Sequence, residues 1–144
     1  MTKITRSAHI MHKPELMFEL VNDFSSYPQF LPWCSDARII EKSSKEIIGE
    51  LSISIGGIRQ AFTTRNICHR SDRIDLSLVS GPFSSLSGHW VFEPIGSDGC
   101  CVSLELEFEF SNRFIALAIG AGFSRIAGNL VDAFCKRADF LYGE

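Results

Sequence analysis

The chain has 144 residues, enough for one domain with a substantial core, and 45% of them are hydrophobic. Its formal charge of −3 gives no general attraction to nucleic acid or anionic lipid, although short basic clusters such as Arg65, Arg70 and Arg73 occur. Five scattered cysteines without a C-x-x-C pair argue against a disulfide framework or a four-ligand zinc site, and no signal-peptide pattern opens the chain, so we expect reduced thiols in a cytoplasmic protein.

The first elements are a strand, a helix and a short punctuated segment. Residues 4–11 are typical of a strand. Pro14 and Glu15 then open a helix, because proline fits the first turn and a carboxylate suits its positive end, and this helix should end near Asp23. The segment FSSYPQFLPWC, residues 24–34, carries two prolines, which disfavour a long helix or a central strand. We predict a short helical or turn element there.

Strand patterns follow without a break. They span residues 37–42, 50–55, 58–69, 72–79, 86–94 and 101–111, with turn residues between them. In the last span, Val102, Leu104, Leu106, Phe108 and Phe110 alternate with polar residues, among them Glu105, Glu107 and Glu109. This period of two predicts an antiparallel meander with one solvated face.

The period changes to three or four from Asn112 onwards. The apolar residues that repeat at this spacing are Ile115, Ile119, Phe123, Ile126, Leu130 and Phe134, so we predict a helix to about Tyr142, roughly 45 Å long. The apolar face of the sheet is the large surface on which this helix can pack. We predict a single α+β domain over residues 1–144: a curved antiparallel sheet of about six or seven strands around a long C-terminal helix, with two short helices near the N-terminus.

The first half of the long helix is apolar nearly all round. Residues 114–123, FIALAIGAGF, amount to about half of the ~20 residues that span a bilayer. Two alternatives stay open. Either residues 27–33 and the first helix cover its outer side, or that side borders a cavity or a membrane.

No catalytic or metal-binding constellation is evident. His9 and His12 lack a zinc-binding pattern, and the glutamates of the last strand are typical of a solvated sheet face. We therefore predict a binding protein, not an enzyme. The inward side chains either fill a solid core or leave a gap for an apolar ligand, in which Thr64 and Asn66 would offer polar contacts.

Five motifs resemble, in order and spacing, the RatA family of bacterial ribosome-association toxins. They are NDFSSYPQFLPWC, FTTRN, SGPFSSLSGHWVFEP, LEFEFSN and DAFCKRA. That family is related to the mitochondrial coenzyme Q-binding proteins of the START-like superfamily of polyketide cyclases and lipid transport proteins. The resemblance extends from about residue 4 to residue 142. It implies a START-like helix-grip fold with a hydrophobic tunnel between sheet and long helix.

The resemblance further implies that the tunnel holds ubiquinone or another isoprenoid or acyl lipid, with no cofactor required. Residues 27–33 would then lie over the tunnel mouth as a lid. The side chains expected to contact the ligand are Tyr27, Phe30, Leu31, Trp33, Phe62, Thr64, Asn66, Trp90, Phe92, Leu106, Phe108, Phe110, Phe123, Ile126 and Leu130.

Three functions are compatible with this resemblance. The first is a non-enzymatic quinone or lipid carrier that supports respiratory electron transport, with transient contact to the inner membrane. The second is a ribosome-binding toxin that blocks association of the subunits through the large subunit and is paired with an antitoxin protein. A polyketide cyclase or aromatase ranks last, because the predicted lining offers no acid–base group. The family usually has a basic residue after GPF, where this chain has Ser84, which puts an RNA contact at that position in doubt.

Overall fold

A computed structural model describes residues 1–70 and 72–143. Seven strands and three helices follow one another along the chain. In order they are β1 (Thr2–Ile10), α1 (Pro14–Asn22), a 3₁₀ turn (Phe24–Ser26), α2 (Tyr27–Phe30), β2 (Cys34–Lys42), β3 (Glu46–Ile55), β4 (Ile58–His69), β5 (Arg73–Ser80), β6 (Phe83–Ile95), β7 (Gly99–Phe110) and α3 (Arg113–Tyr142).

All seven strands form one antiparallel sheet in the order β1-β7-β6-β5-β4-β3-β2. The strands from β2 to β7 follow one another as a meander, and β1 closes the order by pairing with β7, from Thr2 opposite Phe108 to Ile10 opposite Cys100. The long helix α3 packs chiefly on β1 and β7, and it also touches β3. This arrangement confirms the predicted helix-grip architecture.

The helix ends follow the signals in the sequence. Pro14 occupies the first turn of α1, and Glu15 lies in that turn. The side chain of Asn112 caps α3 by accepting a hydrogen bond from the backbone N–H of Ile115 at 2.9 Å. α3 runs for 30 residues and ends at Tyr142, as its apolar period predicts.

Several strands begin earlier than the alternation indicates. β2 starts at Cys34, β3 at Glu46 and β6 at Phe83, against predicted starts at residues 37, 50 and 86. In β3 the extra residues have no alternating pattern, and one of them is Gly49. The ring of Phe24 lies 2.2 Å from where a Cβ of Gly49 would be, so only glycine fits there.

The outer side of the first half of α3 is exposed, which excludes one of the two alternatives left open by its sequence. Phe114 and Leu117 are 83% and 80% exposed. The alternative in which residues 27–33 cover them is wrong, because Tyr27 and Phe30 instead pack edge-on against Phe134 in the second half of the helix.

Candidate functional site

The core consists of two clusters of buried side chains. One lies around α1 and α2 and contains Tyr27, Trp90 and Phe134. The other lies under the first half of α3 and contains Phe62 and Phe123. Among the described residues, the ring–ring contacts of the core fall within one cluster or the other, whereas the side chains that pack against both are Trp33, Leu51 and Leu76.

A cavity of about 90 Å³ lies where the two clusters meet, between the sheet and α3. Its walls are mainly aliphatic and aromatic. They are formed by Val21, Phe24, Tyr27, Trp33, Leu51, Phe62, Thr64, Asn66, Leu76, Leu86, Trp90, Leu104, Leu106, Phe123, Ile126, Ala127, Leu130 and Phe134. A space of this size exceeds what a single water needs but is smaller than the ~150 Å³ cavity known to hold benzene.

One polar pair faces this apolar space from β4. Thr64 and Asn66 are both buried, and the Thr64 hydroxyl donates a hydrogen bond to Asn66 Oδ1 at 3.0 Å. Arg65 lies between them in sequence but points outward, where its guanidinium pairs with Glu46. The inward position predicted for Thr64 and Asn66 is therefore correct.

The segment from Tyr27 to Trp33 is an integral part of the core and not a loose cover. The Tyr27 hydroxyl donates a hydrogen bond to the Val21 carbonyl, and burial raises the pKa of this phenol well above its usual range. Leu31 is buried, and the Trp33 carbonyl accepts a hydrogen bond from the Ser54 N–H of β3 at 2.9 Å. Two side chains of this segment, Tyr27 and Trp33, reach the cavity. Tyr27 is buried, whereas Trp33 is partly exposed.

Ten of the fifteen predicted ligand contacts line the cavity. They are Tyr27, Trp33, Phe62, Thr64, Asn66, Trp90, Leu106, Phe123, Ile126 and Leu130. The other five lie elsewhere in the core. Leu31, Phe92 and Phe108 are fully buried. Phe30 packs edge-on against Phe134 and under the Arg137 guanidinium, and Phe110 lies against Phe83. Ligand binding by any of these side chains stays a prediction.

The lining also includes residues outside the predicted set. Val21 and Phe24 come from α1 and the turn after it, and Leu86 from β6. Ala127 and Phe134 continue the helical spacing of Phe123 and Leu130 along α3, so the same apolar period contained the signal for them.

The core contains two buried thiols, Cys34 and Cys100, whose pKa values are raised, and neither belongs to a metal-binding cluster among the described residues. No group of three or more potential metal ligands occurs among residues 1–70 and 72–143. Burial raises the pKa of the Cys34 thiol to about 11 and that of Cys100 to about 12, so both stay protonated at neutral pH.

Comparison with known proteins identifies a matching family and several similar proteins. The family described as polyketide cyclase / dehydrase and lipid transport matches residues 10–135. A Vibrio cholerae protein named ribosome association toxin RatA is 43% identical over 144 residues, 100% of both chains. The persistence and stress-resistance toxin PasT of Escherichia coli is 43% identical over 142 residues, 99% of this chain and 90% of that protein. A mitochondrial coenzyme Q-binding protein of Schizosaccharomyces pombe is 23% identical over 142 residues, 92% of this chain and 85% of that protein.

Solved structures agree with the architecture. The solution structure of an 18 kDa protein from Caulobacter crescentus is similar at 30% identity with a TM-score of 0.76, over 100% of both chains. The Zhui aromatase/cyclase from a Streptomyces species has a TM-score of 0.82 over 96% of this chain and 93% of that one. At 15% identity, the second likeness shows the fold alone.

Proposed function

The chain belongs to the polyketide cyclase / dehydrase and lipid transport family and is a RatA-type member of it, and from that premise we propose that it binds ubiquinone or a related isoprenoid or acyl lipid. The ligand would enter the cavity between the sheet and α3, and this non-enzymatic binding would support respiratory electron transport from the cytoplasmic side. The observation that carries the proposal is an apolar cavity with one polar pair, Thr64 and Asn66, on its wall.

The chemistry of the walls supports binding over catalysis. A cyclase or aromatase needs a positioned acid or base near its substrate. Apart from the indole N–H groups, the polar side chains of the lining are Thr64, Asn66 and Tyr27, and the Tyr27 hydroxyl is already bonded to a backbone carbonyl. The Thr64 hydroxyl donates to Asn66 Oδ1, which leaves the Asn66 side-chain N–H groups as donors. Such donors suit the carbonyl and methoxy oxygens of a quinone ring, which accept hydrogen bonds but need no proton transfer.

The cavity must widen to hold such a ligand, since drug-sized ligands occupy roughly 300–1,000 Å³. Trp33, Ile126 and Leu130 line it and are partly exposed, which supports an exit for the tail between Trp33 and α3. Each Å² of tail buried there contributes on the order of 25 cal/mol, so a few isoprene units offset the movement of Trp33.

Tryptophan fluorescence tests the proposal directly, because Trp33 and Trp90 both line the cavity. Titration with a short-chain ubiquinone should quench them saturably. Ala127→Leu places a larger side chain at a buried lining position and should weaken binding at least tenfold, whereas Ala121→Leu, on the exposed side of the same helix, should not. Absence of saturable quenching, or equal affinity in the two variants, would refute the proposal.

Ribosome association is a second candidate, favoured by 43% identity over the full chain to a protein named for it. Binding of this kind needs a cationic surface and weakens with salt. Arg70 and Arg73 lie at one end of β4, and Arg65 lies four residues before that end. Arg59 lies at the other end, about 20 Å from Arg65 and about 36 Å from Arg70, so the four do not form one patch. Arg65 and Arg73 are also paired with Glu46 and Asp75.

The position after GPF does not add to that surface. The Ser84 hydroxyl lies 3.4 Å from Glu109 Oε2, so a carboxylate is present where the family usually has a basic residue. Sedimentation with large ribosomal subunits at low and moderate salt tests this candidate. Salt-sensitive co-migration is the expected result, and its absence at both salt concentrations would dismiss ribosome binding.

A further inference from the structure

The first half of α3 carries an exposed apolar patch, made of Phe114, Leu117, Ala118 and Ala121. All four side chains lie on the side of the helix opposite the buried Ile119 and Phe123. The two large members are more than three-quarters exposed, which is unusual for adjacent apolar residues in regular structure.

The two charged residues that bracket this patch along α3 are both cationic. Residues 114–124 contain no charged side chain, and they are bracketed by Arg113 and Arg125, both exposed and without an ion pair to any described residue. The tip of the β3–β4 hairpin adjoins the same half of the helix, because Gly122 packs directly on Ile55.

We propose that this patch is a docking surface for a membrane that contains anionic phospholipids. The helix would lie in the plane of the interface, with Phe114 and Leu117 inserted among the acyl chains and Arg113 and Arg125 at the phosphates. An apolar face with a cationic border is the pattern of interfacial helices, which bury about 5–10 Å into the boundary between headgroups and acyl chains.

By length and composition, α3 is apolar enough to cross a bilayer. In its most apolar stretch of 18 residues, 22% of the residues are buried. The inner side of that stretch is nevertheless committed to the fold, since Ile119, Phe123 and Ala127 are buried against the sheet. Docking on the surface uses the outer side and leaves these contacts intact, so it requires no unfolding.

A second copy of the chain fits this surface less well. In an antiparallel helix pair, Arg113 of one copy would lie beside Arg125 of the other, and a parallel pair would set each arginine against itself. Both arrangements bring like charges together at the edge of a low-dielectric contact. A stable protein interface also needs about 800 Å² per partner, of which this patch supplies a fraction.

The docking surface and the cavity lie on opposite sides of the same half of α3. Phe123 and Ile126 line the cavity from the inner side of the helix. If the proposed ligand binding holds, docking brings the cavity to within about one helix diameter, roughly 10–12 Å, of the lipids in which a quinone dissolves. The docking itself does not depend on that ligand.

Vesicle flotation of the ligand-free protein tests the docking. Vesicles with about 30 mol% phosphatidylglycerol in phosphatidylcholine should bind the protein, and pure phosphatidylcholine vesicles should bind it more weakly. The double variant Phe114→Ser with Leu117→Ser should lower partitioning at least ~10-fold on both kinds of vesicle. Arg113→Gln and Arg125→Gln should each lower it about fivefold on the anionic vesicles alone.

Phe140→Ser is the matched control, because Phe140 is equally exposed but lies at the other end of α3. This variant should partition like the parent protein. No flotation on either vesicle, or an equal loss in the Phe140 and patch variants, would overturn the docking.

Two further readouts separate other occupants. A dimer on size exclusion that Phe114→Ser with Leu117→Ser dissociates would assign the patch to a second copy. Loss of ribosome co-migration in the same double variant, with unchanged flotation, would assign the patch to RNA. Either result overturns the membrane proposal. Ala127→Leu should lose quinone binding but keep flotation, so failure of the cavity proposal is distinguishable from failure of the docking.

Discussion

The hydrogen-bonded pair of Thr64 and Asn66 separates a structural from a ligand-binding role for the cavity. The pair is buried, and its oxygens are 3.0 Å apart. Thr64→Val removes the hydroxyl that donates to Asn66 Oδ1. Asn66→Leu removes the oxygen that accepts from the Thr64 hydroxyl. Each leaves a buried polar group unpaired, so each should lower the free energy of unfolding by about 1–3 kcal/mol.

The double variant behaves differently, because both polar groups are replaced by apolar groups of similar shape. Its free energy of unfolding should lie within about 1 kcal/mol of the parent protein or above it. For a double variant as stable as the parent protein, the coupling between the two sites equals the combined losses of the single variants, about 2–6 kcal/mol, well above the ~0.5 kcal/mol within which independent sites add.

In the double variant, ligand affinity should fall although the free energy of unfolding is retained. If the Asn66 side-chain N–H donates to a quinone oxygen while its Oδ1 accepts from the Thr64 hydroxyl, loss of that ligand bond weakens affinity by about 0.5–1.5 kcal/mol, or roughly twofold to twelvefold in Kd. The double variant should thus be as stable as the parent protein but bind the ligand clearly less well. Thr63→Val is the matched control, since Thr63 is buried on the same strand but does not line the cavity.

Urea unfolding followed by circular dichroism gives the stabilities, and the fluorescence titration gives the affinities. Additive losses of stability in the single and double variants would contradict the hydrogen-bonded pair. A double variant with unchanged affinity would refute its role as the polar contact for the ligand.

Three other changes test separate parts of the fold. Gly88→Ala should lower the free energy of unfolding by about 3 kcal/mol or more, because the new Cβ would lie 2.2 Å from the Glu105 carbonyl oxygen. Gly120→Ala should raise it by up to ~1 kcal/mol, because the new Cβ would lie 3.6 Å from the Phe110 ring, an ordinary contact distance. Thermal melts of the two variants measure the difference. Cys34 and Cys100 should react with a thiol reagent at neutral pH only after unfolding, as a time course with and without denaturant shows. Burial alone would raise the pKa of Asp75, but hydrogen bonds from Arg73 and His69 outweigh it and lower that pKa. Its contribution to stability is therefore complete above the unfolded-state value and is lost as pH falls through the folded-state value; Asp75→Asn should flatten this acid limb in melts from pH 7 to pH 2.

The sequence predicts the elements of this fold well because their apolar periods are strong. The alternation of β7 and the three-to-four spacing of α3 fix both elements, and Asn112 marks the start of the helix. The start of β3 escapes this reasoning because Gly49 is there to admit the ring of Phe24, a contact between residues 25 positions apart. A local pattern contains no information on such a contact.

The cavity lining is predicted less completely, for a related reason. Parity assigns a side chain to a face of the sheet but not to a depth along the strand. Phe92 shares a face with Trp90, and Phe108 shares one with Leu106, yet Trp90 and Leu106 line the cavity while Phe92 and Phe108 pack beyond it. Depth depends on where α3 crosses the sheet, and that is decided by packing over the whole domain.

The division of the core into two clusters explains how a small cavity can accept a large ligand. Core side chains make dense contacts, so opening a single continuous core for a ligand would break many of them. Here the aromatic contacts lie within each cluster, and Trp33, Leu51 and Leu76 are the side chains that bridge the two. Separating the two clusters breaks the contacts made by the three bridging side chains, and contacts to a ligand of similar polarity replace them. The contacts within each cluster remain. The cavity volume without ligand is therefore a lower limit on the space available to a ligand that separates the two clusters.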